Sequence, residues 1–193
     1  DSFSNSQTEE AIFTEGIAYI GNRAFSGCKN LHQVILPMSM EEIGASAFEN
    51  CSSLKSISLP MALKAVGDGT FKGTGLRTLN IPKSVYWLGD GILSECESLD
   101  HITIPENIGQ IPARMFENCK NLKKVELQEN LFKIGERAFW GCSSLDFLII
   151  PDSVKQIGLD AFTNTDNQFI IQCSFGSYAE KYARKNKIKY QLV

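Results

Sequence analysis

The chain has 193 residues, of which 43% are apolar and 21% are charged, and this composition is typical of a folded protein with one sizeable core. With 19 Lys and Arg against 22 Asp and Glu, the formal charge of −3 gives no general attraction to phosphate backbones or anionic lipid surfaces. No apolar run approaches the roughly 18 to 20 residues of a bilayer-spanning helix. We therefore expect no nucleic-acid partner and no direct membrane insertion by this chain.

Residues 1–13 are interpreted as an N-terminal tail. Residues 1–10 are mostly polar, so we expect them to be mobile, whereas residues 11–13 can form a strand beside the first repeat. The opening residues contain neither Met nor the apolar stretch of a signal peptide, and we expect a trimmed or mature fragment.

Residues 14–175 are organised by an internal repeat with a period of about 23 residues. Four residue types recur in register and form columns if successive repeats stack. The phenylalanine column is Phe25, Phe48, Phe71, Phe116, Phe139 and Phe162, with Leu93 in the vacant slot. The other columns are Gly21, Gly44, Gly67, Gly89, Gly135 and Gly158; Pro37, Pro60, Pro82, Pro105 and Pro151; and Leu31, Leu54, Leu76, Leu99, Leu122 and Leu145.

Residues 38–60 show the local structure that each repeat predicts. Apolar and polar residues alternate over 54–59, as in a strand with one buried face, and Pro60 ends that strand because it cannot donate a ladder hydrogen bond. Gly44 permits a tight or positive-φ turn, and a short helical turn fits residues 45–50. Because one coil buries too little apolar surface to offset its ordering entropy, we expect the coils, about seven in this chain, to stabilise one another by stacking.

Residues 176–193 are predicted to form a cap at the end of the stack. Ser177 and Glu180 have the spacing of a capping box, in which the serine accepts from the Glu180 amide and the glutamate reaches back. A short helix through about Asn186 follows, and residues 188–193 can add a last strand that shields the open sheet edge.

The six cysteines are expected to be free, buried thiols. Five of them, Cys28, Cys51, Cys96, Cys119 and Cys142, hold the same position in different coils, where parallel Cα–Cβ vectors are unsuited to a disulfide. His32 and His101 lie far apart and no Cys-x-x-Cys occurs, so the sequence predicts no metal site. Since no nucleophile, zinc-protease or phosphate-loop motif is present either, we expect no cofactor and no enzyme activity.

The repeat unit, Ile-Gly-x-x-Ala-Phe-x-x-Cys-x-x-Leu-x-x-Ile-x-Ile-Pro, resembles the BspA-like leucine-rich repeat family over roughly residues 14–175. The resemblance implies an α/β repeat protein: a strand-rich, right-handed solenoid with a strand on one side of every coil, short helical turns and here a C-terminal helix–strand cap. It also implies a cell-surface or secreted protein whose repeats serve adhesion or protein binding and carry no catalytic signature.

Two surfaces are candidates for binding. The first is the strand face, formed by the outward residues of three strands: His101 and Thr103, Lys124 and Glu126, and Phe147 and Ile149. Phe147 and Ile149, with Ile170, make an apolar patch that either contacts a partner or is covered by the C-terminal helix. The second is an aromatic patch on another side of the coils, formed by Tyr19, Tyr86, Trp87 and Phe132.

We therefore expect a non-enzymatic module that binds a protein partner, such as a host extracellular protein, through the strand face. A carbohydrate-binding module that uses the aromatic patch and a purely structural spacer within a larger surface protein are the alternatives.

Overall fold

The computed structural model describes residues 1–193 as a strand-rich parallel β-solenoid of about eight turns with one helix. In chain order its elements are β1 (Glu10–Ile12), β2 (Tyr19–Ile20), β3 (Gln33–Ile35), β4 (Glu42–Ile43), β5 (Ala65–Val66), β6 (Trp87–Leu88), β7 (His101–Thr103), β8 (Gln110–Ile111), β9 (Lys124–Glu126), β10 (Lys133–Ile134), β11 (Phe147–Ile149), β12 (Gln156–Ile157), β13 (Ile170–Cys173), α1 (Tyr178–Asn186) and β14 (Lys189–Leu192).

The strands lie on two sides of each coil, whereas the sequence predicted one. On the first side β1 pairs with β3, β7 pairs with β9, and β11, β13 and β14 form one sheet. On the second side β2, β4, β5 and β6 form one sheet and β8, β10 and β12 another. All pairs are parallel. The strand expected over residues 54–59 is not hydrogen-bonded as a strand, although its alternation of exposed serines with more buried Ile57 and Leu59 is retained.

The third side of each coil, here called the turn side, consists of consecutive tight turns and not of the helical turns that the sequence predicted. In coil two, Ser46 and Asn50 adopt left-handed φ values of 54° and 60°. Their N–H groups therefore point to the next coil, where they donate to Asp68 and Lys72 carbonyls, each at 2.7 Å. A helix would direct these N–H groups along the same coil, so the left-handed residues convert a local turn into a link between coils.

Side chains from all three sides fill the interior. The phenylalanine column is buried, as predicted, and ring centroids of neighbouring coils lie 5.6 Å apart for Phe25 and Phe48 and 5.8 Å apart for Phe48 and Phe71. Leu93 is fully buried in the vacant slot. The column extends one position further than expected, because Phe3 stacks on Phe25 at 5.1 Å.

The N-terminal residues pack against the first coil, which differs from the expectation of a mobile segment. The Phe3 N–H donates to Ala24 at 2.8 Å and the Asn5 N–H to Ser26 at 2.7 Å, which are the same bonds that later coils make. The predicted strand of residues 11–13 is confirmed in its place, since β1 pairs with β3. Aromatic stacking at Phe3, which the polar composition of residues 1–10 conceals, holds this segment on the stack.

The glycine column allows adjacent coils to approach closely. A Cβ added at Gly67 would lie 2.5 Å from the Ala45 nitrogen, and one at Gly135 would lie 2.5 Å from the Ala113 nitrogen. Neither glycine has a positive φ, nor does Gly44, for which a positive-φ turn was one of two expectations. The missing side chain matters here for space between coils rather than for backbone conformation.

All six cysteines are free and buried, as predicted. Each thiol of the cysteine column donates to a carbonyl of the phenylalanine column in the preceding coil; the Cys51 Sγ, for example, lies 3.1 Å from the Phe25 oxygen and the Cys142 Sγ 3.1 Å from the Phe116 oxygen. Burial raises the pKa of Cys51 and of Cys142 to about 12. These thiols therefore pack and donate hydrogen bonds as neutral groups.

The C-terminal cap forms as predicted. Ser177 Oγ accepts from the Glu180 N–H at 3.1 Å, and α1 then runs from Tyr178 to Asn186. The Glu180 carboxylate reaches back to the Gly176 N–H at 2.6 Å and also accepts from Arg184. β14 then pairs with β13 and extends the sheet on the first side by one strand.

Candidate binding surfaces

The four polar residues predicted for the strand face lie on two adjacent strands in register. His101 is opposite Lys124 and Thr103 is opposite Glu126 across the β7–β9 pair, and all four side chains are exposed. Their alternation with buried Ile102 and Val125 fixes this orientation, because successive side chains of a strand point to opposite faces.

The β7–β9 part of the strand face is a polar network. Lys124 Nζ lies 2.5 Å from Glu126 Oε1, and Thr103 Oγ1 donates to Glu126 Oε2 at 2.8 Å. These contacts, with the Lys124 bond the larger cause, lower the pKa of Glu126. Lys123, at 3.0 Å, and then His101, at 3.3 Å, lower the pKa of Asp100 in the same way. The carboxylates are thus ionised and paired, which leaves a hydrogen-bonding surface with little net charge.

The β11 part of the strand face is an exposed apolar patch. Phe147 is 44% exposed and Ile149 is 54% exposed, while Ile170, opposite Phe147, is half-buried. α1 packs against β12, β13 and β14 and does not cover Phe147 or Ile149. The sequence left open whether the C-terminal helix covers this patch, and in the structure the helix leaves it exposed.

A second apolar patch at the other end of the same side was missed by the sequence analysis. Ile12 is 64% exposed and pairs in register with Ile35, which is 45% exposed. The alternation of buried and exposed residues in β1 indicated this patch, because buried Ala11 places Ile12 on the outer face of the strand. From the sequence, residues 11–13 were considered only as a strand that covers the first repeat.

Three of the four residues of the aromatic patch lie within two coil spacings of one another. Tyr86 and Phe132 hold equivalent positions two coils apart, with Gly109 between them. A Cβ on Gly109 would lie 2.8 Å from the Phe132 ring, so this ring leans over the glycine toward Tyr86. Trp87, next to Tyr86, is exposed on β6.

Tyr19 is separate from the rest of the aromatic patch. It shares a row with Trp87, but Glu42 and Ala65 of the two intervening coils lie between them. At about 4.8 Å per strand, three coil spacings put Tyr19 about 14 Å from Trp87 along the axis. The aromatic patch in the structure is therefore Tyr86, Trp87 and Phe132.

No group of three or more His, Cys, Asp or Glu side chains in the structure has an arrangement that could hold a metal ion. In addition, no helix combines the length and the apolar character needed to cross a bilayer.

Comparison with known proteins gives a family and several similar folds. The model of the BspA type leucine-rich repeat region matches residues 1–77 and 41–169, with six copies of the repeat. A leucine-rich cell surface protein from Faecalibacterium prausnitzii is 31% identical, with a TM-score of 0.73 over 86% of this chain. The match covers 48% of that protein, so this chain spans about half of its length. A comparison with curated protein sequences gives no significant match.

Two further solved structures share the fold. The Treponema pallidum leucine-rich repeat protein TpLRR has a TM-score of 0.79 at 24% identity, covering 96% of this chain and 86% of that one. A leucine-rich repeat protein from Bacteroides ovatus has a TM-score of 0.54 at 21% identity, covering 96% of this chain and 66% of that one.

Proposed function

Because the chain belongs to the BspA-type leucine-rich repeat family, we propose that it is a non-enzymatic module of a cell-surface or secreted protein and that it binds a protein partner through the strand face. The observation that carries this proposal is the contiguous row of exposed side chains on β7, β9 and β11, where a polar network adjoins an uncovered apolar patch. A host extracellular protein is the expected partner. The surface location follows that of the similar F. prausnitzii protein.

The strand face has the physical properties of a protein-binding surface. Its backbone is held by the stacked coils, so little conformational entropy is lost when a partner docks. Phe147 and Ile149 offer apolar area that a partner can desolvate, and Thr103, Lys124 and Glu126 at its border offer hydrogen bonds that set orientation.

Substitutions on the strand face test the proposal. The chain would be immobilised and exposed to host extracellular proteins, and each retained protein would be purified for affinity measurement. We expect Phe147→Ala with Ile149→Ala to weaken binding by about tenfold or more, because both lie at the centre of the apolar patch. A Lys124/Glu126 charge swap should slow association at low salt. Tyr86→Ala on the aromatic patch is the control, and equal losses in all variants would contradict the proposal.

A glycan-binding function is the second candidate, and the position of the Phe132 ring over Gly109 beside Tyr86 favours it. Tyr86 and Phe132 are two coil spacings apart, about 10 Å, which is close enough for exposed aromatic rings to flank one ligand. A glycan array separates the two functions: a signal that is lost in Trp87→Ala and retained in Lys124→Glu supports sugar binding. If neither substitution changes any interaction, the chain acts as a structural spacer. Turnover of any substrate that is abolished by replacing His101 or one outward carboxylate would contradict a non-enzymatic role.

A further inference from the structure

The turn sides of successive coils are joined by a regular set of backbone hydrogen bonds. In each coil, three alternate residues donate their N–H groups to three alternate carbonyls of the next coil. Arg137, Phe139 and Gly141 show the last complete set, since they donate to Leu159, Ala161 and Thr163 at 2.8 to 2.9 Å. The next coil thus always supplies carbonyls from every second residue of one segment.

The last coil presents the same donors without acceptors. Asp160, Phe162 and Asn164 occupy the three donor positions, and Asp160 and Asn164 have the left-handed φ values of 53° and 59° that aim such N–H groups at a following coil. No backbone or side-chain acceptor in the protein receives these three N–H groups. Phe162 is 4% exposed, and an N–H group in such a buried residue is costly to leave without an acceptor.

Two of these donor residues, Asp160 and Phe162, line a groove between the last coil and α1, which is here called the end groove. Its volume is about 570 Å³. Its apolar lining includes Leu159, which is 73% exposed, and the rings of Phe162, Tyr178 and Tyr182. The helix therefore covers part of the coil end but leaves its turn side open.

The charges at the end groove favour an acidic occupant. Lys181 and Lys185, one turn apart on α1, line the groove, are exposed and form no ion pair. The carboxylate on the same helix, Glu180, is buried and already bound by Arg184 at 2.7 Å. Asp160 is the one acidic residue in the lining.

We propose that the end groove binds an extended acidic segment of a partner polypeptide, which continues the turn-side ladder. Carbonyls of alternate residues in this segment accept from the Asp160, Phe162 and Asn164 N–H groups, as the next coil does elsewhere in the stack. Its acidic side chains lie against Lys181 and Lys185, and its apolar side chains contact Leu159 and Tyr178. This site is separate from the strand face, so either proposal can fail without the other.

Synthetic peptides of about nine residues test the proposal, because this length is within the usual range of a β-strand. Val and Ile would alternate with Glu in the first peptide, with Gln in the second and with Lys in the third. Fluorescence anisotropy on the whole chain should show binding in the order Glu, then Gln, then Lys. In the Glu complex, amide hydrogen exchange at Asp160, Phe162 and Asn164 should slow by about tenfold or more.

A charge-reversal pair provides the matched control. Lys181→Glu with Lys185→Glu should weaken binding of the Glu peptide by about tenfold. Lys29→Glu with Lys55→Glu reverses two exposed, unpaired lysines far from the groove and should leave it unchanged. The proposal is overturned if the Glu peptide does not bind, if the control pair loses as much affinity, or if the three amides exchange at the same rate in the complex. Protection of these amides by self-association without peptide would identify a second copy as the occupant and would also overturn it.

Discussion

Phe116 lies in the phenylalanine column between Leu93 of the preceding coil and Phe139 of the next, so its removal leaves a cavity bounded on both sides by rigid coils. Phe116 is fully buried, and its ring centroid lies 5.2 Å from that of Phe139. We expect Phe116→Ala to lower the free energy of unfolding by about 3 to 5 kcal/mol, as measured by chemical denaturation. Phe147→Ala, on the exposed strand face, is the control and should cost far less. A loss below about 1 kcal/mol for Phe116→Ala would contradict a buried column.

The buried thiols predict a pH dependence of stability in the alkaline range. Burial raises the pKa of Cys51 from 9.0 to about 12 and that of Cys96 to about 11. Since these pKa values are higher in the folded state, the unfolded chain loses its thiol protons first. Stability from these groups is therefore complete below about pH 9 and declines as the pH rises from 9 toward 12.

Urea unfolding at a series of pH values measures this dependence. We expect a shallower alkaline decline in Cys51→Ala than in the unmodified chain, because that variant has one fewer thiol with a raised pKa. A thiol reagent at pH 8 should label Cys51, Cys96 and Cys142 only as the protein unfolds. Rapid labelling of all six cysteines in the folded protein would show that the column is accessible, contrary to the structure.

At the scale of a single coil, the glycine column sets how closely neighbours approach. A Cβ at Gly67 would lie 2.5 Å from the Ala45 nitrogen and 2.8 Å from the Gly44 carbonyl carbon, and these backbone atoms cannot move without separating the coils. We expect Gly67→Ala to destabilise the protein by about 1 to 3 kcal/mol in denaturant unfolding. At Gly21, in the same column, the nearest atom to an added Cβ is 3.9 Å away on the Tyr19 ring. Gly21→Ala is the matched control, and equal losses at both positions would show that coil spacing is not the cause.

Strand alternation was the part of each coil that the sequence predicted best. Buried Val125 between exposed Lys124 and Glu126 follows directly from the period of two, and it oriented the strand face correctly. The same pattern could not show which neighbouring strands are hydrogen-bonded. That depends on how closely two coils approach, as at β7 and β9, and not on the residues of one coil.

The sequence predicted helical turns on the turn side, although one column of residues in it indicated left-handed turns. Positive φ recurs at Gly27, Asn50, Gly73, Glu95, Asn118, Gly141 and Asn164, and all but one of these residues are Gly or Asn, which tolerate the left-handed region. The other left-handed column includes Arg23, Ser46 and Arg137, whose side chains give no such indication. The end groove could not be predicted either, because it depends on where α1 lies against the last coil.

At the scale of the whole molecule, the bonding of the stack changes at the junction between coils four and five. β6 and β8 do not pair, so the second-side sheet is interrupted there. The ring column is interrupted nearby, since Leu93 stands between Phe71 and Phe116 and no ring stacking crosses it. On the turn side the ladder still crosses the junction, with Gly91 donating to Ala113 at 2.8 Å. On the first side the β7–β9 pair also crosses it. The two halves are thus joined by turn-side hydrogen bonds, first-side strand pairing and aliphatic packing, without second-side pairing or ring stacking.

Native-state hydrogen exchange should therefore resolve two cooperative units, residues 1–89 and residues 110–193. Phe25→Ala should accelerate exchange in the first unit by more than in the second, because in a repeat stack each coil stabilises its neighbours and coupling weakens across a junction that lacks second-side pairing and ring stacking. Phe139→Ala is the reciprocal variant and should act mainly on the second unit. If either substitution accelerates exchange equally throughout the chain, the junction transmits stability fully and the solenoid unfolds as one unit.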